Sequence, residues 1–162
     1  MIEKINVEIH ASPQEVFQFL VDYDKHYTEV SKDHIERVVN IVDPNLEHPD
    51  VSFYFRQISP ISGREQKVRG KVTRVEMDKY IGTKFLFPTS LFLTTVEEIL
   101  EPSGNGCMLT TNIRFTFIAR LAKSARRKVV EHIRGELEEM RDILERDQPA
   151  GSASVPPPEF HQ

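Results

Sequence analysis

The residues best suited to chemistry are His132 and Glu136, an imidazole and a carboxylate four positions apart in His132-Ile133-Arg134-Gly135-Glu136. On a helix that spacing puts both side chains on one face. At about 100° per residue from Val129, Ile133, Met140 and Ile118 fall within roughly 40°, Glu136 at about −20° and His132 at about −60°. Arg127, Glu131, Arg134, Glu138, Arg141 and Asp142 fall on the opposite, solvated side. Glu136 is therefore expected to face the interior, where a carboxylate needs a partner, a proton or a metal.

Two readings of that acid stay open. In the structural one, Glu136 meets a sheet arginine such as Arg56, Arg69 or Arg114, and His132 is satisfied by a backbone carbonyl. In the functional one, Asp33-His34 brings a second imidazole toward the helix. Two imidazoles and one or two carboxylates, without a thiolate, suit Zn²⁺ with an open position for water. Bound water would then lose a proton near pH ~7 and supply hydroxide. His26 could act as a general acid beside such a site, and Tyr27, Tyr23 and Tyr80 could hydrogen-bond a phenolic or carbonyl substrate. The same side chains also suit a cavity rim.

These residues need elements to hold them. Met1 to Ile9 alternates apolar and polar as a strand does. Ser12-Pro13-Gln14-Glu15 is a helix start, with Ser12 as cap, Pro13 in the first turn and Glu15 reaching back. Val16, Phe17 and Leu20 give that helix its apolar face, and a second short helix is expected from Tyr23 to Val30. Six β-branched and aromatic runs follow: Ile35 to Val42, Val51 to Ile58, Gln66 to Val75, Tyr80 to Phe87, Leu91 to Leu100 and Met108 to Phe117. The short turns between them predict an antiparallel meander. One long helix is expected from Ile118 to Arg146, on the stripe Ile118, Ala122, Ala125, Val129, Ile133, Leu137, Met140 and Leu144. Residues 147–162, with Pro156-Pro157-Pro158, read as a disordered tail.

Composition bounds the function. The chain has 162 residues, 39% of them hydrophobic and 28% charged, enough for one domain with a core and a pocket. Its net charge of −4 lacks the basic excess of a nucleic-acid surface. No apolar run approaches the ~18 residues of a membrane span, and the N-terminus carries no signal-peptide pattern. The single Cys107 offers no disulfide within the chain, and we expect a cytoplasmic protein. Phe53, Phe55, Phe85, Phe87, Phe92, Phe115 and Phe117 could line a pocket for an aromatic ligand or simply fill the core. The basic run Arg120, Lys123, Arg126, Arg127 and Lys128 could meet an acidic ligand or partner, or form a solvated helix start.

The order β, α, α, six β, long α resembles the SRPBCC superfamily, also called START-like or helix-grip, which includes polyketide cyclases, plant allergens and lipid-transfer domains. Asn6-Val7-Glu8-Ile9-His10-Ala11-Ser12-Pro13-Gln14-Glu15-Val16-Phe17 is similar to that family's opening strand, turn and first helix. The resemblance covers residues 1–146. It implies an α+β fold in which a curved antiparallel sheet of about seven strands wraps a long C-terminal helix, with a ligand cavity between them.

A narrower resemblance is to the zinc-dependent hydrolases of diacetylphloroglucinol and phloretin, carried by Asp33-His34, by the lead-in His26 to Lys32 and by the His132 to Glu136 pair. It implies a metal set of His34, His132, Glu136 and a strand glutamate. The spacing from His34 points to Glu65 for that glutamate. Strand parity instead puts Glu65 opposite the inward Val68, Gly70 and Val72, and puts Gln57 in phase with Val51, Phe53 and Phe55. Two functions are therefore expected. One is a zinc-dependent hydrolase of a small hydrophobic or aromatic ketone. The other is a metal-free helix-grip protein, cyclase-like or lipid-binding, that takes a hydrophobic small molecule.

Overall fold

A computed structural model describes residues 1–22, Val30, the backbone of 34–40, and residues 52–147. The N-terminal strand β1 (Ile2–Ile9) leads into α1 (Pro13–Val21). The Ser12 hydroxyl accepts from Glu15 N at 3.1 Å and the Glu15 carboxylate accepts from Ser12 N at 2.8 Å, the reciprocal cap expected from the sequence. Such caps contribute about 1 kcal/mol. The second short helix expected from Tyr23 to Val30 lies outside the described residues apart from Val30, as do the candidates His26 and Tyr27.

Six strands follow: β2 (His34–Asn40), β3 (Ser52–Ile58), β4 (Glu65–Glu76), β5 (Tyr80–Phe85), β6 (Leu93–Ser103) and β7 (Gly106–Phe115). With β1 they form one antiparallel sheet in the order β1-β7-β6-β5-β4-β3-β2. From β3 to β7 successive strands pair as sheet neighbours through short connections, whereas β1 and β2 lie at opposite edges. The first and last strands in sequence, β1 and β7, are thus neighbours at one edge, and β2 forms the other edge.

The expected single C-terminal helix is two helices, α2 (Phe117–Leu121) and α3 (Lys123–Arg146). Ala122 breaks the run at φ −94° and ψ 65°. The Thr116 hydroxyl caps α2 through Ala119 N, and Arg126 Nη1 donates back to the carbonyls of Ala119 and Arg120. This turn corrects the expected stripe: Ile118, placed on it by periodicity, is exposed, whereas Val129, Leu137, Met140 and Leu144 are buried.

The core has two parts. The larger joins β1, α1, β6, β7 and α3 through residues such as Ile5, Phe17, Leu109, Ile113 and Met140. The smaller consists of Phe53, Phe55, Val68 and Val72 on β3 and β4. Val75 and Phe85 touch both. Between the sheet and α3 lies a cavity. Among the described residues, no helix is long and apolar enough to cross a membrane.

Candidate functional site

The cavity measures about 730 Å³, a volume that accommodates a drug-sized molecule. Its walls are mostly apolar. Phe53, Phe55 and Phe85 come from the sheet, Phe92 follows the turn before β6, and Val129, Ile133 and Leu137 come from α3. Phe87 and Pro88 also line it. Of the phenylalanines singled out by sequence, Phe115 instead lies in the core with its ring edge-on to Phe92 at 5.7 Å, and Phe117 is exposed.

Polar groups enter this space from facing elements. His132 and Glu136 both line the cavity, as the helical period predicts, with Nε2 of His132 2.9 Å from Oε1 of Glu136. From the sheet come Gln57, Glu98 and Thr111. Glu98 and Thr111 are direct cross-strand partners on β6 and β7, so their side chains stand side by side. Thr111 is only 1% exposed, and its hydroxyl has no hydrogen-bond partner among the described residues. Gln57 is 8% exposed, in phase with Phe53 and Phe55.

Glu98 is the residue that sequence reasoning missed. Burial pushes its carboxyl up to about 7, and the nearby Glu136 carboxylate contributes to that rise. A bulge explains why it was hard to find. Counting from the buried Leu93, strict alternation turns Glu97 inward, but the register shifts between Leu93 and Thr95. The extra residue changes phase, so Val96, Glu98 and Leu100 face inward. Glu97 faces the other way and accepts a hydrogen bond from the Tyr80 hydroxyl at 3.0 Å. Tyr80 is thereby committed to that pair and to Arg74, whose guanidinium sits 4.9 Å from its ring centre, rather than to the cavity. The usable signal was the spacing of Val96 and Leu100 around Glu98.

The other site candidates separate. Glu65, expected from spacing as a metal ligand, begins β4 on the face opposite Val68 and forms an ion pair with Arg56. It is exposed and does not line the cavity, because β4 keeps its alternation up to the turn. Arg56 is thus paired with Glu65, Arg69 lines the cavity while remaining exposed, and Arg114 is exposed. His34 opens β2 with its backbone opposite Gln57. Among the described residues, no three His, Cys, Asp or Glu side chains group as a metal site.

Comparison with solved structures places the architecture. The di-domain ARO/CYC StfQ from the steffimycin biosynthetic pathway superposes with a TM-score of 0.73 and 14% identity over 90% of this chain. The chain spans 50% of that two-domain protein. Ara h 8.0201 matches with a TM-score of 0.71 and 14% identity, covering 91% of this chain and 99% of that one. TTHA0849 from Thermus thermophilus matches with a TM-score of 0.72 and 12% identity, over 91% and 99%. No family model and no curated protein matches the sequence. The chain has the α+β helix-grip fold of these structures, and at these identities the likeness speaks to fold alone.

Proposed function

We propose that this protein binds a hydrophobic, aromatic small molecule that carries a carbonyl or hydroxyl group, in the manner of a polyketide cyclase-like helix-grip protein. The observation that carries this reading is the cavity itself, with its aromatic walls and its polar groups drawn from both α3 and the sheet. Apolar walls supply binding free energy through buried area, and a few polar groups fix orientation. A Glu98 carboxyl titrating at about 7 is half protonated near neutrality. In that state it can donate a hydrogen bond to a ligand oxygen, or exchange a proton with it. Thr111 next to it offers a second donor to the same oxygen. This pairing supports acid–base chemistry on an enolisable ketone as readily as simple binding.

The test is a fluorescence titration with 2-acetyl-1-naphthol, a small aromatic hydroxy-ketone. We expect saturable binding to the wild type. Ile133→Trp, which places an indole in the cavity, should weaken it about 10-fold or more. Unchanged affinity in that variant would mean the probe sits elsewhere and would remove the support for this reading.

A zinc-dependent hydrolase of the same class of ketone is the second reading, favoured by the His132–Glu136 contact at 2.9 Å inside the cavity. Zinc there would polarise a water for attack on a carbonyl. His132 and Glu136 have the right donor atoms for it, and His34, whose backbone pairs with that of Gln57, comes from the neighbouring strand. Elemental analysis of untagged protein tests this reading. It predicts near-stoichiometric zinc in the wild type and its loss in Glu136→Ala, and equal metal content in the two proteins would overturn it.

A further inference from the structure

The exposed large apolar residues are concentrated around one place. Phe87, Leu91, Phe117, Ile118 and Leu121 are between 52% and 73% exposed. They come from two segments distant in sequence, the turn after β5 and the helix α2. Hydrogen bonds join those segments, with the Thr116 hydroxyl donating to Leu91 O at 2.7 Å and Thr116 N donating to Phe92 O at 3.0 Å. Phe87 also lines the cavity beside Pro88 and Thr89, so the patch is continuous with the cavity mouth. Burying such side chains is favourable, and a free surface that leaves them in water marks a contact site.

Charge identifies what would cover it. The chain as a whole carries −4, yet neither segment contains an acid: none occurs from 79 to 96 or from 102 to 130. Lys84, Arg120, Lys123, Arg127 and Lys128 fall within those stretches. Arg126 is held by Glu3 at 3.4 Å and Arg127 lies 3.9 Å from Glu131. Arg120, Lys123 and Lys128 are exposed and make no ion pair among the described residues. Arg120 and Lys123 flank Leu121 in sequence, giving an apolar tip with cationic shoulders. A second copy placed on this face would bring like charges together. An anionic bilayer satisfies both features at once, taking apolar side chains below the headgroups and basic ones among them.

We propose that the face formed by Phe87, Leu91 and α2 docks reversibly on an anionic lipid surface, with the cavity mouth turned toward the bilayer. The docking requires no spanning helix. It would let a hydrophobic ligand pass between cavity and lipid without crossing water.

The experiment is flotation of the full-length protein with vesicles of phosphatidylcholine alone or with about 30% phosphatidylglycerol. Wild type is expected on the anionic vesicles only, and less so as salt rises. Lys123→Glu/Lys128→Glu and Phe117→Ser/Leu121→Ser should each weaken binding about 10-fold or more. All four side chains are exposed, so an unchanged melting temperature checks that each variant is folded. Absence of wild-type protein from both vesicle types would overturn the proposal. So would anionic-vesicle binding that survives both variants, or a dimer in solution that Phe117→Ser/Leu121→Ser dissolves while vesicles bind nothing.

Discussion

Glu98→Gln should raise stability at pH 8 by about 3 kcal/mol and leave it nearly unchanged at pH 4 when the two proteins are compared by urea unfolding. The folded-state carboxyl is raised to about 7 from a reference of 4.5. Between those values the folded protein keeps a proton that the unfolded chain has released. Stability associated with Glu98 is therefore fully present below about pH 4.5 and is lost as pH rises through about 7. Glutamine keeps the shape and hydrogen-bonding capacity without the charge, so the variant escapes that loss. Identical pH profiles for the two proteins would mean that Glu98 titrates normally in the folded state. The 2-acetyl-1-naphthol titration adds a functional readout, since a donor lost as Glu98 ionises should weaken wild-type binding above pH 7 and leave the variant's binding level.

Gly106→Ala should lower stability by about 2–4 kcal/mol, because the clash is with backbone rather than with a side chain that can rotate away. A methyl group at this position would overlap the carbonyl oxygen of Ile9 and crowd the Cα of His10. Gly106 starts β7 next to the Ile9–Cys107 pairing, so relief would require the end of β1 to shift. Gly135 is the opposite case. It lies within α3 with nothing near the space a methyl would fill, and Gly135→Ala should stabilise by roughly 0.8 kcal/mol. Thermal unfolding of the two variants measures both; equal effects of the same sign would refute the assignment of the Gly106 constraint to β1.

The helix and the sheet differed in how much they revealed in advance. His132 and Glu136 were legible because a helix longer than five turns fixes orientation by period, and many apolar positions vote on the phase. Gln57 was legible by parity because β3 is regular from Phe53 to Ile58. Glu98 was not, since one bulged residue reverses the faces of everything after it and leaves no mark in composition. Glu65 shows the opposite hazard: a spacing borrowed from resemblance competed with local alternation, and alternation describes where the side chain stands. The break at Ala122 was hidden because Phe117, Ile118 and Leu121 have the composition of a buried helix turn while facing solvent.

The division of the core has a consequence for how the cavity fills. Among the described residues, Phe53, Phe55, Val68 and Val72 form their own small cluster, linked to the main core by Val75 and Phe85, and Phe53, Phe55 and Val68 line the cavity. Among the described residues, the β3–β4 hairpin thus meets the main core at Val75 and Phe85, while backbone pairing ties it to β2 and β5. Apolar side chains of both clusters therefore face the same cavity. A bound ligand would join the two clusters by acting as the missing piece of core, and slower amide exchange along 52–72 is where occupancy should first be felt.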